Sequence, residues 1–240
     1  MKETYYAGAY WLARSESAEA CAHRAERFFQ LLGRCDPAWN RWHQTAGSFE
    51  EARKRQLDTD AASFQKLFSQ KKHRILDGFL VCLWAGDDPR ELSGVDVSCG
   101  SSSLQPASSC ILRPFDEGPI GERVLTAPVM AEVLRAMALA WEPELGVVTS
   151  HAHRDMVVKG FPYVGTFVGW VMYFSRQRGA VPPLPAPVRV EPVEDKGTLV
   201  ILTPERFTAS NPEHVALAAR VHELLNEAGL LARLRPFAPG

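Results

Sequence analysis

The sequence lacks most of the features that would assign it a chemistry at once. It has five cysteines, Cys21, Cys35, Cys82, Cys99 and Cys110, and no Cys-x-x-Cys pair, which excludes the usual zinc and thioredoxin-like signatures. It has no excess of either charge: 27 Lys and Arg stand against 28 Asp and Glu, for a net charge of −1. A protein built to hold nucleic acid needs a basic surface that displaces counterions, so direct nucleic-acid binding is not expected. The longest uncharged, mostly apolar run, Phe161 to Phe174, is short of the roughly 20 residues a membrane-spanning helix requires. The first residues, Met-Lys-Glu-Thr-Tyr-Tyr, lack the apolar core of a signal peptide. No membrane partner and a cytoplasmic location are therefore expected. There is no G-x-S-x-G elbow, no Walker A loop, and no G-x-G-x-x-G at a strand-to-helix turn. No cofactor is expected.

What is present suits a globular chain of 240 residues, 46% apolar and 23% charged, long enough to bury a real core. Tyr5 to Trp11 reads as a strand. Ala18, Cys21, Ala22, Ala25, Phe28, Phe29 and Leu32 recur at three and four residues, which predicts a helix capped by Ser15 or Ser17 and closed by Gly33. Ser48 and Asp60 are placed to cap two short helices, the second carrying Phe64, Leu67 and Phe68. Gly78 to Ala85, Val95 to Ser98 and Ile111 to Pro114 read as strands. The serine-rich stretch from Cys99 to Ser109 reads as a loop. A second amphipathic helix follows Thr126 and Pro128, with Met130, Val133, Leu134, Met137 and Trp141 on one face. Leu145 to Thr149 predicts a short strand, and Tyr163 to Phe174 a long one buried on both faces, with Gly165 and Gly169 marking a close approach. Pro182 to Pro187 is a stiff connector. Glu194-Asp-Lys-Gly197 predicts a hairpin turn, and Asn211 with Pro212 opens a last helix closed by Gly229. The mixture predicts one α+β domain spanning residues 1–240, a mostly antiparallel sheet with amphipathic helices packed against it.

Three groups of residues are candidates for function. The run from Leu145 to Met156 contains His151, His153 and Asp155 in a His-x-His-x-Asp pattern resembling the metallo-β-lactamase signature, in which two histidines and a carboxylate hold zinc and activate water. That pattern carries a histidine after the aspartate, and Met156 stands there instead. A zinc-dependent hydrolase is the alternative reading of the chain, against the plainer one of a polar loop after a strand. Cys99 and Cys110 flank the serine-rich loop and are candidate cross-strand neighbours. Finally, Asp87, Asp88, Glu91 and Asp96 gather after the Gly78–Ala85 strand. They read either as solvated loops or as a patch suited to a partner with a basic groove.

In order along the chain, Tyr6-Ala-Gly-Ala-Tyr-Trp11, Ser15 to Cys21, the Trp39 and Trp42 pair, Trp84-Ala-Gly86, Trp141-Glu-Pro143, Val164 to Trp170, Gly197 to Thr203, Asn211-Pro-Glu-His214 and Ala228 to Leu231 resemble the immunity protein 52 family of bacterial polymorphic toxin systems. Leu12 departs from the pattern, where glycine is expected. The resemblance implies an inhibitor that is not an enzyme, is encoded beside a secreted toxin and binds that toxin. The toxins linked to the family often look like nucleases of the restriction-endonuclease fold. If the cognate toxin is a nuclease, its basic groove makes Asp87, Asp88, Glu91 and Asp96 the candidate contact residues, with Trp39 or Trp42 as exposed aromatic anchors.

Overall fold

Strand β1 (Tyr5–Trp11) enters the middle of a single sheet, and the rest of the chain is built to either side of it. The computed structural model describes residues 3–103, 108–158 and 167–234. After β1 come α1 (Ala18–Cys35), β2 (Trp42–Gln44), α2 (Phe49–Arg53), β3 (Gln56–Leu57), α3 (Ala61–Phe68), β4 (Arg74–Ile75), β5 (Gly78–Asp88), β6 (Glu91–Cys99) and β7 (Ser108–Arg113). There follow α4 (Gly118–Val124), α5 (Ala127–Trp141), β8 (Leu145–Ser150), α6 (His151–Val157), β9 (Val171–Ser175), β10 (Arg189–Val193), β11 (Gly197–Ile201) and α7 (Pro212–Glu227). The strand order is β10-β11-β9-β8-β1-β7-β6-β5-β2-β3, with β4 on β5, and every pairing is antiparallel. The α+β architecture with a mostly antiparallel sheet is as the sequence predicts. Among the described residues no single helix is long and apolar enough to cross a membrane.

The helices form where local chemistry directs them. The Ser17 hydroxyl accepts the Ala20 N–H and starts α1, Ser48 caps α2 and Asp60 caps α3, and Asn211 with Pro212 starts α7. Helix α1 passes Gly33 and runs to Cys35. Asp36 ends it in an extended conformation that the following Pro37 favours, and its carboxylate caps the 3-10 turn Pro37–Trp39.

One face of the sheet carries α1, α3 and α5. Trp11 of β1 stacks on Trp141 of α5, with ring centroids 5.4 Å apart and planes at 11°. Phe29 of α1 meets Trp42 edge-on and stacks on Phe64, each at 5.1 Å. Cys21, Cys99 and Cys110 are buried here as free thiols. The register sets Cys110 opposite Val97 and Cys99 opposite Phe79, so the two cysteines are diagonal rather than facing. Cys82, which reads as a core thiol in the sequence, is half-exposed on the opposite face, paired across with Asp96.

Two further expectations change. The strand predicted over Tyr163 to Phe174 is confined to Val171–Ser175. Phe167 to Trp170 are buried without being strand, and residues 163–166, Gly165 among them, lie outside the described residues. The chain here crosses β8: a side chain on Gly169 would collide with Val147 and the Val148 carbonyl, and the Trp170 indole donates to the Thr203 carbonyl at 3.1 Å. Second, the segment after Ala85 is no loop. Strands β5 and β6 extend through it and turn over Pro89 and Arg90.

Candidate interaction surface

Residues directly opposite in an antiparallel pair share a face, so the register assigns every strand residue to the helix side or the other side. Tyr6, Gly8 and Tyr10 of β1 fall on the other side, with Leu145 and Val147 of β8, Met172 and Phe174 of β9, Ile111 and Arg113 of β7, Gly94 and Asp96 of β6, and Cys82 and Trp84 of β5. At the β9–β11 end this side is covered, and Met172, Phe174 and Val200 are buried. The apolar stripe of α7, Ala218, Val221 and Leu225, is buried as well, as are Leu230 and Leu231. Across β1, β7, β6 and β5 it is more open: among the described residues α6 meets it at Tyr6, and Phe49 of α2 lies 5.1 Å from the Trp84 ring. Tyr10, Ile111, Cys82, Trp84 and Asp96 remain half-buried, and Arg113 is exposed.

A depression of about 230 Å³ opens where this uncovered sheet meets α6. Ile111, Leu145, Val147, Phe167 and Met172 give it an apolar floor, and Tyr6, Tyr10, Arg113, His151 and Arg154 its polar lining. Gly8 creates the room. The Tyr10 ring folds back over it, where any Cβ would strike the phenol. Burial pushes the hydroxyls of both Tyr6 and Tyr10 above their ordinary pKa. The Arg154 guanidinium lies 5.9 Å from the Tyr6 ring centroid and holds one oxygen of Asp155 through Nε and Nη2, at 2.8 and 2.7 Å. Arg113 reaches Asp96 through Nη1 at 2.6 Å, which lowers the Asp96 pKa against the opposing effect of burial.

The three residues of the metallo-β-lactamase-like pattern do not converge. They lie on helix α6 rather than on a loop, and successive alternate positions of a helix point to different sides. His151 turns to Thr4, with Nδ1 3.2 Å from its carbonyl. His153 is buried beside Thr149 and against Phe207. Asp155 is exposed and held by Arg154. Among the described residues no three His, Cys, Asp or Glu side chains are grouped to hold a metal ion.

The candidate contact residues are partly redistributed. Asp87 and Asp88 sit at the tip of the β5–β6 hairpin, with 65% and 42% of their side chains exposed, paired with Arg41 and Arg90 respectively. The Glu91 carboxylate lies against Gly118 at the start of α4. Asp96 is mid-strand on the uncovered face. A second depression, of about 280 Å³, lies among Arg41, Asp87, Asp88, Glu91 and His43. His43 is buried and stacked on Trp84 at 4.6 Å, and burial lowers its pKa. Trp39 and Trp42, expected as exposed anchors, are both 0% exposed. The Trp39 indole donates to Ser93 Oγ at 3.0 Å and that of Trp42 to the Trp39 carbonyl at 2.7 Å. They belong to the core because the 3-10 turn after α1 folds them inward beneath Phe29 and Phe115. Tyr10, Trp84, Ile111, Arg113 and Arg154 carry the uncovered face instead. The alternation of Tyr6, Gly8 and Tyr10 was the one sequence signal for it.

The family model for immunity protein 52 matches residues 3–234. The chain belongs to the immunity protein 52 family. No curated protein sequence matches it. Among solved structures, the Pseudomonas aeruginosa T6SS protein PA0821 superposes with a TM-score of 0.56 at 12% identity, over 98% of this chain and 85% of that one. That likeness is one of fold. For an immunity protein 52 member, a surface that binds is the functional site to look for, and the uncovered sheet has the Tyr, Trp and Arg content typical of strong contact centres.

Proposed function

We propose that the protein neutralises a cognate secreted toxin by tight one-to-one binding, without chemistry of its own, and that the toxin is a nuclease of the restriction-endonuclease fold met in the cytoplasm. The observation that carries this reading is the family match over residues 3–234. The T6SS protein of similar fold is consistent with a role beside a secreted effector. Protection leaves almost no free toxin, which requires nanomolar affinity or better, about −12 kcal/mol. A nuclease holds a polyanion and so presents a basic groove. In this reading Asp87 and Asp88 at the exposed hairpin tip, with Glu91 and Asp96 behind them, meet that groove. Arg41 and Arg90, which pair with the tip carboxylates in the free protein, give way to the toxin's own cations.

The test is to express the domain encoded at the end of the adjacent toxin gene, with and without this protein, and to measure both binding and nuclease activity. Rescue of growth, a 1:1 complex and loss of DNA or RNA cleavage are expected. A toxin that is bound but cleaves no nucleic acid would overturn the nuclease assignment, and no binding would overturn the immunity reading for this pair.

A further inference from the structure

The depression between the uncovered sheet and α6 has a lining of one electrical character. Among the described residues its polar contributors are two arginines, one histidine and two tyrosines, with no carboxylate. Both arginines have donors to spare. An arginine offers five N–H groups in a planar fork. Among the described contacts Arg113 holds Asp96 through Nη1, and Arg154, which holds Asp155 through Nε and Nη2 and also bonds the Tyr6 side chain, uses fewer than its five N–H groups. Below them the floor is apolar, from Ile111 to Met172. The combination selects a group that is apolar in its body and anionic at one edge. Nucleic-acid phosphates do not fit this well, because they come with hydrated sugars on both sides and the chain's net charge of −1 gives no field to hold a polyanion. A protein segment that sets a carboxylate beside an apolar side chain does fit.

We infer that this depression is the central anchor point for the cognate toxin: an apolar side chain of the toxin enters above Ile111 and Val147, and an adjacent Asp or Glu is gripped by Arg154 and Arg113. The inference rests on the immunity reading above and adds to it a cationic contact distinct from the acidic hairpin tip. A carboxylate gripped by two arginines over an apolar floor is largely desolvated, the condition under which charge pairs count for more than rim contacts.

The experiment measures binding of the adjacent gene's toxin domain to wild-type protein, to Arg113→Gln/Arg154→Gln, and to Arg220→Glu, a reversal on the exposed face of α7. Thermal melts establish that each variant folds. The double variant is expected to weaken the complex on the order of thirtyfold, with Arg220→Glu at the wild-type value. Asp→Asn and Glu→Gln variants of the toxin are then paired with Arg154→Gln. One toxin carboxylate should show the coupling of a direct contact, its loss costing little once Arg154 is already gone. Wild-type affinity in the folded double variant overturns the anchor while leaving the immunity reading standing. Weakened binding with no coupled carboxylate overturns the carboxylate chemistry. Failure of the wild-type protein to bind overturns both.

Discussion

His153 shows how far a residue's meaning depends on what folds around it. In the sequence it is the second histidine of a metal-like pattern. In the structure it is 1% exposed, with Nδ1 3.3 Å from Thr149 Oγ1, its ring against Phe207, and Nε2 without a hydrogen-bond partner among the described residues. Burial pushes its pKa down to about 4, and Glu3, the charged group that acts on it, offsets this only in part. The unfolded chain takes up the proton near pH 6.5, the folded chain only near 4. Between those values the unfolded state binds more protons, so stability falls as the pH falls. The loss begins below about 6.5 and is complete below about 4, at roughly 3 kcal/mol. His43 and His73 are also lowered by burial, so the test is a difference curve. Unfolding free energy of wild type minus that of His153→Gln should be flat above pH 7.5 and fall between 6.5 and 4. Parallel curves over that range would show that His153 does not carry the effect.

At the scale of elements, legibility followed the range of the interactions. Helices α1, α5 and α7 could be read because their periodicity and caps are local, and Glu194 to Gly197 because a hairpin turn is local too. The stretch from 87 to 94 reads as a loop for its Asp, Gly and Pro content, yet Ser93 continues inward the alternation of Val95, Val97 and Cys99. A buried serine at the first of those positions hides the pattern. Helix α6 was missed because seven residues of which four are charged or histidine carry no apolar stripe. The open sheet face was not read from the sequence, since it depends on β1 lying between β7 and β8, which no short-range signal encodes. Gly169 is a partial success. Its close approach was expected from sequence, but within a strand, whereas it occurs where the chain crosses β8. Adding one carbon there forces Val147 and the Val148 carbonyl apart. Gly169→Ala should cost about 1–3 kcal/mol, and lower Tm by roughly 3–10 °C. A melt at the wild-type temperature would mean that the crossing is looser than this packing.

For the whole molecule, the position of β1 decides how the chain behaves as a unit. Residues 5–11 precede every other strand in the chain order, yet they join β7 on one side and β8 on the other, so neither half of the sheet is complete without them. The proline connector does not divide the sheet: β11 beyond it pairs with β9 before it, and Arg135 of α5 binds Glu191 and the Pro192 carbonyl of β10. A chain bound this way has no smaller core to fall back on. It should therefore unfold in one cooperative step across residues 1–240. The six tryptophans are spread over the fold, from Trp39 and Trp42 beside β5 to Trp170 beside β9, so their fluorescence reports on both ends of the sheet. In urea, the fluorescence and far-UV circular dichroism transitions should coincide, and deletion of residues 1–11 should abolish both. Two separated transitions, or a folded fragment surviving that deletion, would show that the halves fold apart. In that case β1 joins two finished units, and the uncovered face it centres is assembled late instead of forming with the core.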